Sequence, residues 1–153
     1  MPTPEERLEQ LGVSLPSPAV PVAAYVPCVR TGNLVYVSGQ VPLVDGKPSH
    51  LGRLGEDVGL QDGRAAARTC AINLIAALKA ELGELSRVRR VVKLTGFVAS
   101  TPDFTDQPTV ANGASELFGE VFGDAGRHAR AAVGVAALPL GVPVEVEAIV
   151  EVG

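Results

Sequence analysis

The sequence predicts an α+β fold in which two helices cover one face of a sheet. Helical periodicity is present in two segments, "DGRAAARTCAINLIAALKAELG" and "TVANGASELFGEVFG". The segments around them have strand character, so the order along the chain is hairpin, helix, strand, helix, strand, strand. Because some of these connections are antiparallel, the order fits an α+β fold rather than a doubly wound sheet. The uncovered sheet face is rich in Val and Ala, and we therefore expect an oligomer.

The chain starts with a segment, residues 1–18, that is predicted to be a short helix followed by a proline-containing extension. In "TPEERLEQLG", Thr3 can cap a helix, Pro4 suits its first position and Glu6 completes a capping box. The prolines of "SLPSPAVPVAAYVP" exclude a helix and favour an extended path. Residues 1–153 are predicted to form a single domain that includes this N-terminal extension.

The first two strands are predicted to pair as a hairpin. The turn residues "TGN" separate "YVPCVR" from "LVYVSG", a pattern typical of antiparallel strands joined by a short loop. In the second strand, Ser38 is predicted to share a face with Leu34 and Tyr36. The glycine-rich stretch from Lys47 to Gly59 is predicted to be a loop.

The longer helix is predicted to have Asp62 as its N-cap and Gly83 just after its end. The strand "VRRVVKLTGFVAS" follows it, with apolar residues on both parities, which indicates a central position in the sheet. The last two strands are predicted at about residues 129–136 and 144–152.

Charge and composition disfavour several classes of function. The formal net charge is −4, which does not provide the basic footprint of a nucleic-acid-binding protein. No apolar stretch approaches the roughly 20 residues that span a bilayer, and no signal-peptide pattern is present, so a cytoplasmic protein is expected. Cys28 and Cys70 lack metal-ligand spacing, and there is no GxGxxG or Walker loop. No metal or cofactor site is predicted.

The two histidines do not predict a catalytic triad. His50 and His128 are the only histidines of the chain, and neither has a Ser or Cys at a catalytic spacing. His128 follows Arg127 and is predicted to be a surface loop residue.

One arginine lies in an apolar strand near the C-terminus. Arg130 shares strand parity with Ala132 and Gly134, and these small neighbours leave space around its head group. A guanidinium is a planar fork that matches a carboxylate, so this position suits a carboxylate anchor. A salt bridge at the surface or between subunits is an equally good interpretation.

Three glutamates share one parity of the last strand. Glu145, Glu147 and Glu151 lie opposite the valines, with Ile149 among them. A solvent-exposed outer face of an antiparallel sheet explains all three. The alternative is that Glu147 lies in a cleft, where it positions or deprotonates a water molecule.

Several stretches together resemble one family. They are "AYVPCVRTGNLVYVSGQVPL", "VVKLTGFVASTPDF", "ANGASELFGEVF" and "ARAAVGVAALPLGVPVEVEAIV". In this order, they look like the successive blocks of the Rid family. These YjgF-like proteins are reactive-intermediate imine and enamine deaminases, formerly called endoribonuclease L-PSP. The resemblance covers roughly residues 21–152, and its most specific parts are the "SGQ" block and the block that starts at "AR".

The resemblance implies a chorismate-mutase-like mixed sheet with two helices on one face. It also implies a homotrimer, in which the three sheets form a barrel and a cleft lies at each subunit boundary. The implied reaction is hydrolysis of small 2-imino or enamino acids to 2-keto acids and ammonia, without a metal or organic cofactor. A non-catalytic protein that binds small carboxylates in the same cleft is the alternative. Endoribonuclease activity is disfavoured by the net charge.

The resemblance also assigns roles to particular residues. Arg130 corresponds to the anchor of the substrate carboxylate, and Glu147 to a glutamate associated with the water. Tyr25 corresponds to a cleft-lining tyrosine. Ser38 and Gly39 correspond to small residues at the end of the first long strand, and backbone groups near Ala132 would contact the substrate nitrogen.

The chain departs from the family pattern at several positions. Well-studied deaminases often have a cysteine where this chain has Ala132. Pro27 and Cys28 in "AYVPCV" replace the Gln and Gly of "PYVQGV", and the segment between Phe97 and Arg130 is longer. These differences indicate a divergent subgroup whose substrate cannot be taken over from the family.

Overall fold

The computed structural model of the chain describes residues 1–18 and 24–153. These residues form a five-stranded mixed sheet, a separate two-stranded ribbon and three α-helices. The helices are α1 (Pro4–Gln10), α2 (Leu60–Leu82) and α3 (Gln107–Phe122). The strands are β1 (Cys28–Thr31), β2 (Leu34–Gln40), β3 (Leu43–Val44), β4 (Lys47–Pro48), β5 (Val88–Ala99), β6 (Ala129–Val135) and β7 (Val144–Val152).

The strand order of the five-stranded sheet is β1-β2-β7-β5-β6. Strands β1, β2, β7 and β5 pair antiparallel along this order, whereas β6 pairs parallel with β5. The predictions of an α+β fold and of a mixed sheet are therefore confirmed. The predicted hairpin of β1 and β2 is also present, closed where Thr31 pairs with Leu34.

Helices α2 and α3 cover the same face of the sheet, which we call the helix-covered face. Helix α2 packs against β7 and β2, and α3 packs against β5 and β6. The side chains of β7 on this face are at most 3% exposed: Val144, Val146, Ala148, Val150 and Val152. The two helices approach closely because Gly113 of α3 lies against the backbone carbonyl of Arg64 in α2. The core lies between this face and the two helices.

The opposite face of the sheet, which we call the open face, carries exposed apolar side chains. Val29, Tyr36 and Val133 are 55%, 46% and 44% exposed. Tyr36 pairs with Val29 on one side and with Ile149 on the other, so an apolar band crosses three strands. Exposed apolar patches of this kind are typical of protein–protein contacts. The oligomer stays a prediction.

The N-terminal helix α1 is present as predicted and packs onto the core. Its capping box is complete, since Glu6 N donates to Thr3 Oγ1 at 3.1 Å and Thr3 N donates to Glu6 Oε2 at 2.8 Å. Leu8 is 3% exposed and belongs to the same core cluster as the valines of the sheet. The single domain stays a prediction. Residues 19–23, within the predicted proline-containing stretch, lie outside the described residues.

One helix boundary differs from the prediction. Helix α2 begins at Leu60 with Gly59 at its N-cap, so Asp62 lies in the first turn and does not cap the helix. Its negative charge still favours the N-terminal end of the helix dipole. The prediction for Gly83 is confirmed, because this residue ends α2 with a positive φ of 80°. The ribbon strand β4 falls within the stretch predicted as a loop.

Candidate functional site

Arg130 lies on the edge strand β6, and its side chain is on the helix-covered face, where it meets α3. Its Nη1 donates to Asn112 Oδ1 at 2.7 Å and to Ser115 Oγ at 3.1 Å. Its Nη2 donates to the carbonyl oxygen of Pro108 at 3.3 Å. Positions 108, 112 and 115 recur at helical spacing, so they form one face of α3. This face orients the guanidinium.

The contacts with α3 leave part of the Arg130 guanidinium without a partner. A guanidinium has five N–H donors, and three are used by Asn112, Ser115 and Pro108. Among the described residues, nothing accepts from Nε–H or from the second N–H of Nη2, and no carboxylate forms an ion pair with Arg130. The alternative of a salt bridge within the chain is therefore not found in the described part of the protein.

Small residues follow Arg130 on the same face of β6. They are Ala132 and Gly134, which pair with core-facing positions of β5. A Cβ at position 134 would come within 2.7 Å of Ser100 Oγ and 2.8 Å of Gln107 Nε2. A cavity of about 480 Å³ lies beside Gly134 at the start of α3. Glycine at position 134 thus permits the close approach of Ser100 and Gln107, and the residues that line this cavity do not include Arg130 or Ala132.

A second set of predicted residues lies at the end of β2, where Ser38 and Gly39 are found and where the segment that carries Tyr25 runs beside them. Ser38 N donates to Pro27 O at 2.8 Å, and Ser38 Oγ donates to Val26 O at 2.7 Å. These bonds hold the segment that carries Tyr25 beside the end of β2. The alternation predicted for β2 ends here, because a bulge interrupts its pairing with β7. Tyr25 is 56% exposed.

Glu145 of β7 is the carboxylate that lies against Gly39. A Cβ at position 39 would meet this carboxylate, so a larger residue there would displace the Glu145 side chain from its present position. Burial raises the pKa of the Glu145 carboxyl above its ordinary value, and the negative charge of Glu147 raises it further. Glu147 itself is exposed on the open face, where it pairs with Thr95 of β5. No Lys, Arg or His among the described residues forms an ion pair with either glutamate.

The residues singled out from the sequence therefore form two groups. The Arg130 group consists of Arg130 and Ala132 together with their α3 partners, and it lies at β6 on the helix-covered face. The glutamate group consists of Glu145, Glu147, Ser38, Gly39 and Tyr25, and it lies where β2 meets β7. Two strand-to-strand steps separate β6 from β7 and three separate it from β2, which is roughly 10 Å and roughly 14 Å at the usual spacing. Within one chain the two groups do not form one site.

Sequence reasoning missed three residues around Arg130. Asn112 and Ser115 contact the guanidinium directly, and His128 lies next to Ser115, with 2.8 Å between His128 Nε2 and Ser115 Oγ. His128 lies in a loop, as predicted, in the segment just before β6, but it is not a fully exposed surface residue, because its ring is partly buried and lies edge-on to Phe118 at 6.4 Å. The only signal in the sequence was that His128 precedes Arg130 by two residues, just before β6 begins.

Of the helices in residues 1–18 and 24–153, none combines the length and the apolar character that a membrane span requires. These residues contain no group of three or more His, Cys, Asp or Glu side chains arranged to hold a metal ion.

The fold and the site define a class of α+β proteins in which helices cover one face of a mixed sheet and a helix-oriented arginine lies on its edge strand. The sequence model of the family described as "YjgF/chorismate mutase-like, putative endoribonuclease" matches residues 5–151. The chain belongs to this family, so the resemblance seen in the sequence blocks is confirmed.

Relatives and solved structures place the chain within this family. Protein TCP17 of Trypanosoma cruzi is 51% identical over 145 residues, which cover 94% of this chain and 91% of that protein. A 2-iminobutanoate/2-iminopropanoate deaminase of Salmonella typhimurium is 36% identical over 128 residues, covering 84% and 87% of the two chains.

Among solved structures, the Agrobacterium tumefaciens protein Atu1372, of unknown function, has a TM-score of 0.93 at 51% identity, covering 98% of this chain and 92% of that one. An endoribonuclease-like protein of Shewanella oneidensis has a TM-score of 0.96 at 36% identity, with 99% and 100% covered. The YjgF gene product of E. coli has a TM-score of 0.65 at 28% identity, with 88% and 93% covered. The backbone of this chain thus follows the first two structures more closely than the third.

Proposed function

We propose that the protein hydrolyses small 2-imino acids, or their enamine tautomers, to 2-keto acids and ammonia in a cleft between subunits. The observation that carries the proposal is Arg130, whose guanidinium is held by α3 with Nε–H and one Nη2–H left for a ligand. Nε and Nη2 share one edge of the guanidinium, and two parallel N–H donors bind a carboxylate in a fixed orientation. The 2-iminobutanoate/2-iminopropanoate deaminase relative, 36% identical to this chain, supports the substrate class.

In this reaction, Arg130 binds the carboxylate and thereby orients the adjacent imine carbon. A water molecule held by a glutamate carboxylate attacks that carbon, and the carboxylate takes up the proton. The imine nitrogen takes that proton from the carboxylic acid, which gives the tetrahedral carbinolamine. The carboxylate then passes the hydroxyl proton of the carbinolamine to the nitrogen as the C–N bond breaks, so that ammonia leaves and the 2-keto acid remains. Backbone groups near Ala132 are proposed to contact the substrate nitrogen.

Two glutamates are candidates for holding the water. Glu147 is the residue that the family resemblance implied, and it is exposed on the open face. Glu145 is half-buried beside Gly39, and its raised pKa suits a group that accepts and returns a proton. We favour Glu145 for this role and retain Glu147 as a neighbour that raises its pKa.

The proposed site requires a second copy of the chain. The Arg130 group and the glutamate group lie at different strands and on opposite faces, so a contact between subunits is the arrangement in which they meet. The exposed apolar band that includes Val29 and Tyr36 supports such a contact. We propose a homotrimer, and light scattering should give three times the 15.8 kDa chain mass. A monomer mass would defeat this part of the proposal.

The test of the reaction is direct. An amino-acid oxidase generates 2-iminopropanoate and other imino acids in situ, and the loss of the imine is followed with and without the protein. We expect acceleration for at least one small imino acid. No acceleration across several imino acids would reject the deaminase and favour the alternative, a non-catalytic protein that binds small carboxylates at Arg130.

A further inference from the structure

Ser115 and His128 form a hydrogen-bonded pair directly behind Arg130. His128 Nε2 lies 2.8 Å from Ser115 Oγ, and His128 Nδ1 lies 2.6 Å from the carbonyl oxygen of Gly126. Ser115 Oγ in turn accepts a hydrogen bond from Arg130 Nη1 at 3.1 Å. A continuous chain of hydrogen bonds therefore leads from the backbone at Gly126 to the guanidinium.

The direction of each hydrogen bond follows from its end points. The carbonyl oxygen of Gly126 can only accept, so His128 Nδ1 carries the proton. In the neutral imidazole, Nε2 then has a lone pair and must accept from the Ser115 hydroxyl. Arg130 can only donate, so its N–H is directed at an oxygen lone pair of Ser115. The three donors and acceptors are matched without conflict.

His128 removes an alternative that Ser115 would otherwise have. A serine in the middle of a helix commonly turns its hydroxyl to the backbone carbonyl four residues earlier. The hydroxyl could also donate to Asn112 Oδ1, in competition with Arg130. Because His128 takes the hydroxyl proton, the oxygen lone pairs remain available to the guanidinium.

We infer that Ser115 and His128 are positioning residues for the carboxylate anchor: His128, held as its Nδ1–H tautomer, fixes the Ser115 hydroxyl, which fixes Arg130. This inference rests on the proposed function only in naming a carboxylate as the ligand. Neither residue touches the substrate. Both act through the orientation of Arg130, and the unused donors Nε–H and Nη2–H are presented in one direction as a result.

The tautomer gives a test that does not need any activity. In mildly alkaline buffer, ¹⁵N-resolved NMR of the histidine ring should show His128 with its proton on Nδ1, whereas the Nε2–H form is the commoner one in free imidazoles. Ser115→Ala should shift the ring signals of His128 and the side-chain N–H signals of Arg130. A proton on Nε2 in the wild-type protein would overturn the inference, whether or not the protein turns over imines.

Ligand binding gives the second test. Ser115→Ala removes a hydrogen bond to a charged group, so the affinity for a small 2-oxo acid such as pyruvate should fall about tenfold. In the imine assay KM should rise by a similar factor, with kcat changed much less, because the anchor binds the ground state and the transition state alike. Thr69→Ala in α2 is the matched control, since the one hydrogen bond of Thr69 Oγ1 within the described part of the chain is to Ala65 O of its own helix.

Two substitutions of His128 separate positioning from packing. His128→Phe keeps a ring against Phe118 but cannot accept from Ser115, so it should weaken binding like Ser115→Ala. His128→Gln offers an amide oxygen at the place of Nε2 and should recover part of the loss. Suppose that Ser115→Ala and His128→Phe are folded, bind pyruvate and turn over imines like the wild type. The positioning role of these residues is then wrong, and the deaminase proposal still stands. If the wild type turns over no imine, the deaminase proposal fails, and the tautomer of His128 measured by NMR still tests the positioning role.

Discussion

The Arg130 group and the glutamate group differ in how their charges are held. Arg130 donates three hydrogen bonds to one helix of its own chain, and its orientation is set before any ligand arrives. Glu145 and Glu147 have no ion-pair partner among the described residues, and burial together with mutual repulsion raises the pKa of Glu145. The Arg130 group is thus an oriented cation, and the glutamate group is two neighbouring carboxylates, of which Glu145 is partly buried and repelled by the charge of Glu147.

This difference shows how a chain can carry two halves of a site that it cannot complete alone. The cation lies on the edge strand β6 with donors that the described residues leave unused, whereas the anions lie on β7, two strands away, where Glu145 is next to Gly39. Neither group prevents the chain from folding, and each keeps polar groups that can bind a ligand or contact another subunit.

The largest expected effect is at the cation. Arg130→Ala should lower kcat/KM for 2-iminopropanoate about a thousandfold, as when one partner of a desolvated charged pair is removed. Arg130→Lys keeps the charge but not the two-donor edge and should recover only a small part of the loss. Steady-state kinetics in the oxidase-coupled assay measure both. Activity close to wild type in Arg130→Ala would remove this residue from the site.

The glutamate group should show the next largest effect and should separate its two members. Glu145→Gln is expected to lower kcat about a hundredfold, because a positioned carboxylate that accepts a proton typically contributes at least that much. Glu147→Gln should have a much smaller effect, since this side chain is exposed and acts mainly by raising the pKa of Glu145. The reverse ranking would return the water-holding role to Glu147, the residue that the family resemblance implied.

The packing of α3, the helix that orients Arg130, can be disturbed by a substitution outside the site. A Cβ at Gly113 would collide with the carbonyl oxygen of Arg64, and overpacking of this kind costs roughly 2 kcal/mol of the free energy of unfolding. Gly113→Ala should therefore lower the denaturant midpoint and weaken carboxylate binding together. Gly119→Ala in the same helix meets nothing within 4 Å and should instead stabilise by up to about 1 kcal/mol. Equal stability of the two variants would contradict the close helix packing.

The smallest expected effect concerns the stability cost of the buried carboxylate. A folded-state pKa above the ordinary 4.5 means that the folded protein binds more protons than the unfolded chain between these values. The contribution of Glu145 to stability is thus most favourable below the ordinary pKa and is lost as pH rises through the raised one.

Glu145→Gln should accordingly increase the free energy of unfolding at neutral pH, by less than about 1 kcal/mol because solvent screens a half-exposed group. The difference from wild type should vanish in acid, where the glutamate is protonated in both states. Denaturant titrations at acid and neutral pH measure it. A difference that persists in acid would have to come from packing rather than from charge.

Much of the fold was predictable, because strand and helix periodicities are local. The valines of β7 repeat every second residue, and they are the side chains that the structure buries. The start of α2 was less predictable, since Gly59 and Asp62 are both acceptable near an N-cap and only the final packing chose between them.

The candidate site was predictable only in part. Parity placed Arg130 with Ala132 and Gly134, but parity cannot say which of the two sheet faces they share. The family resemblance drew attention to Glu147, whereas the contact between Gly39 and Glu145 depends on a bulge in β2 that no alternation pattern indicates. The Ser115–His128 pair joins α3 to the loop before β6, and neither residue has a sequence neighbour that reveals the other.

The sequence by itself determined the class of fold, the order of its elements and the family, since these follow from periodicity, capping and ordered sequence blocks. Tertiary structure decided that α3 orients Arg130, that Glu145 rather than Glu147 approaches Gly39, and that the cation and the carboxylates lie apart within one chain. The physical reason is that hydrogen bonds and desolvation act between atoms that meet only after the sheet and helices have packed.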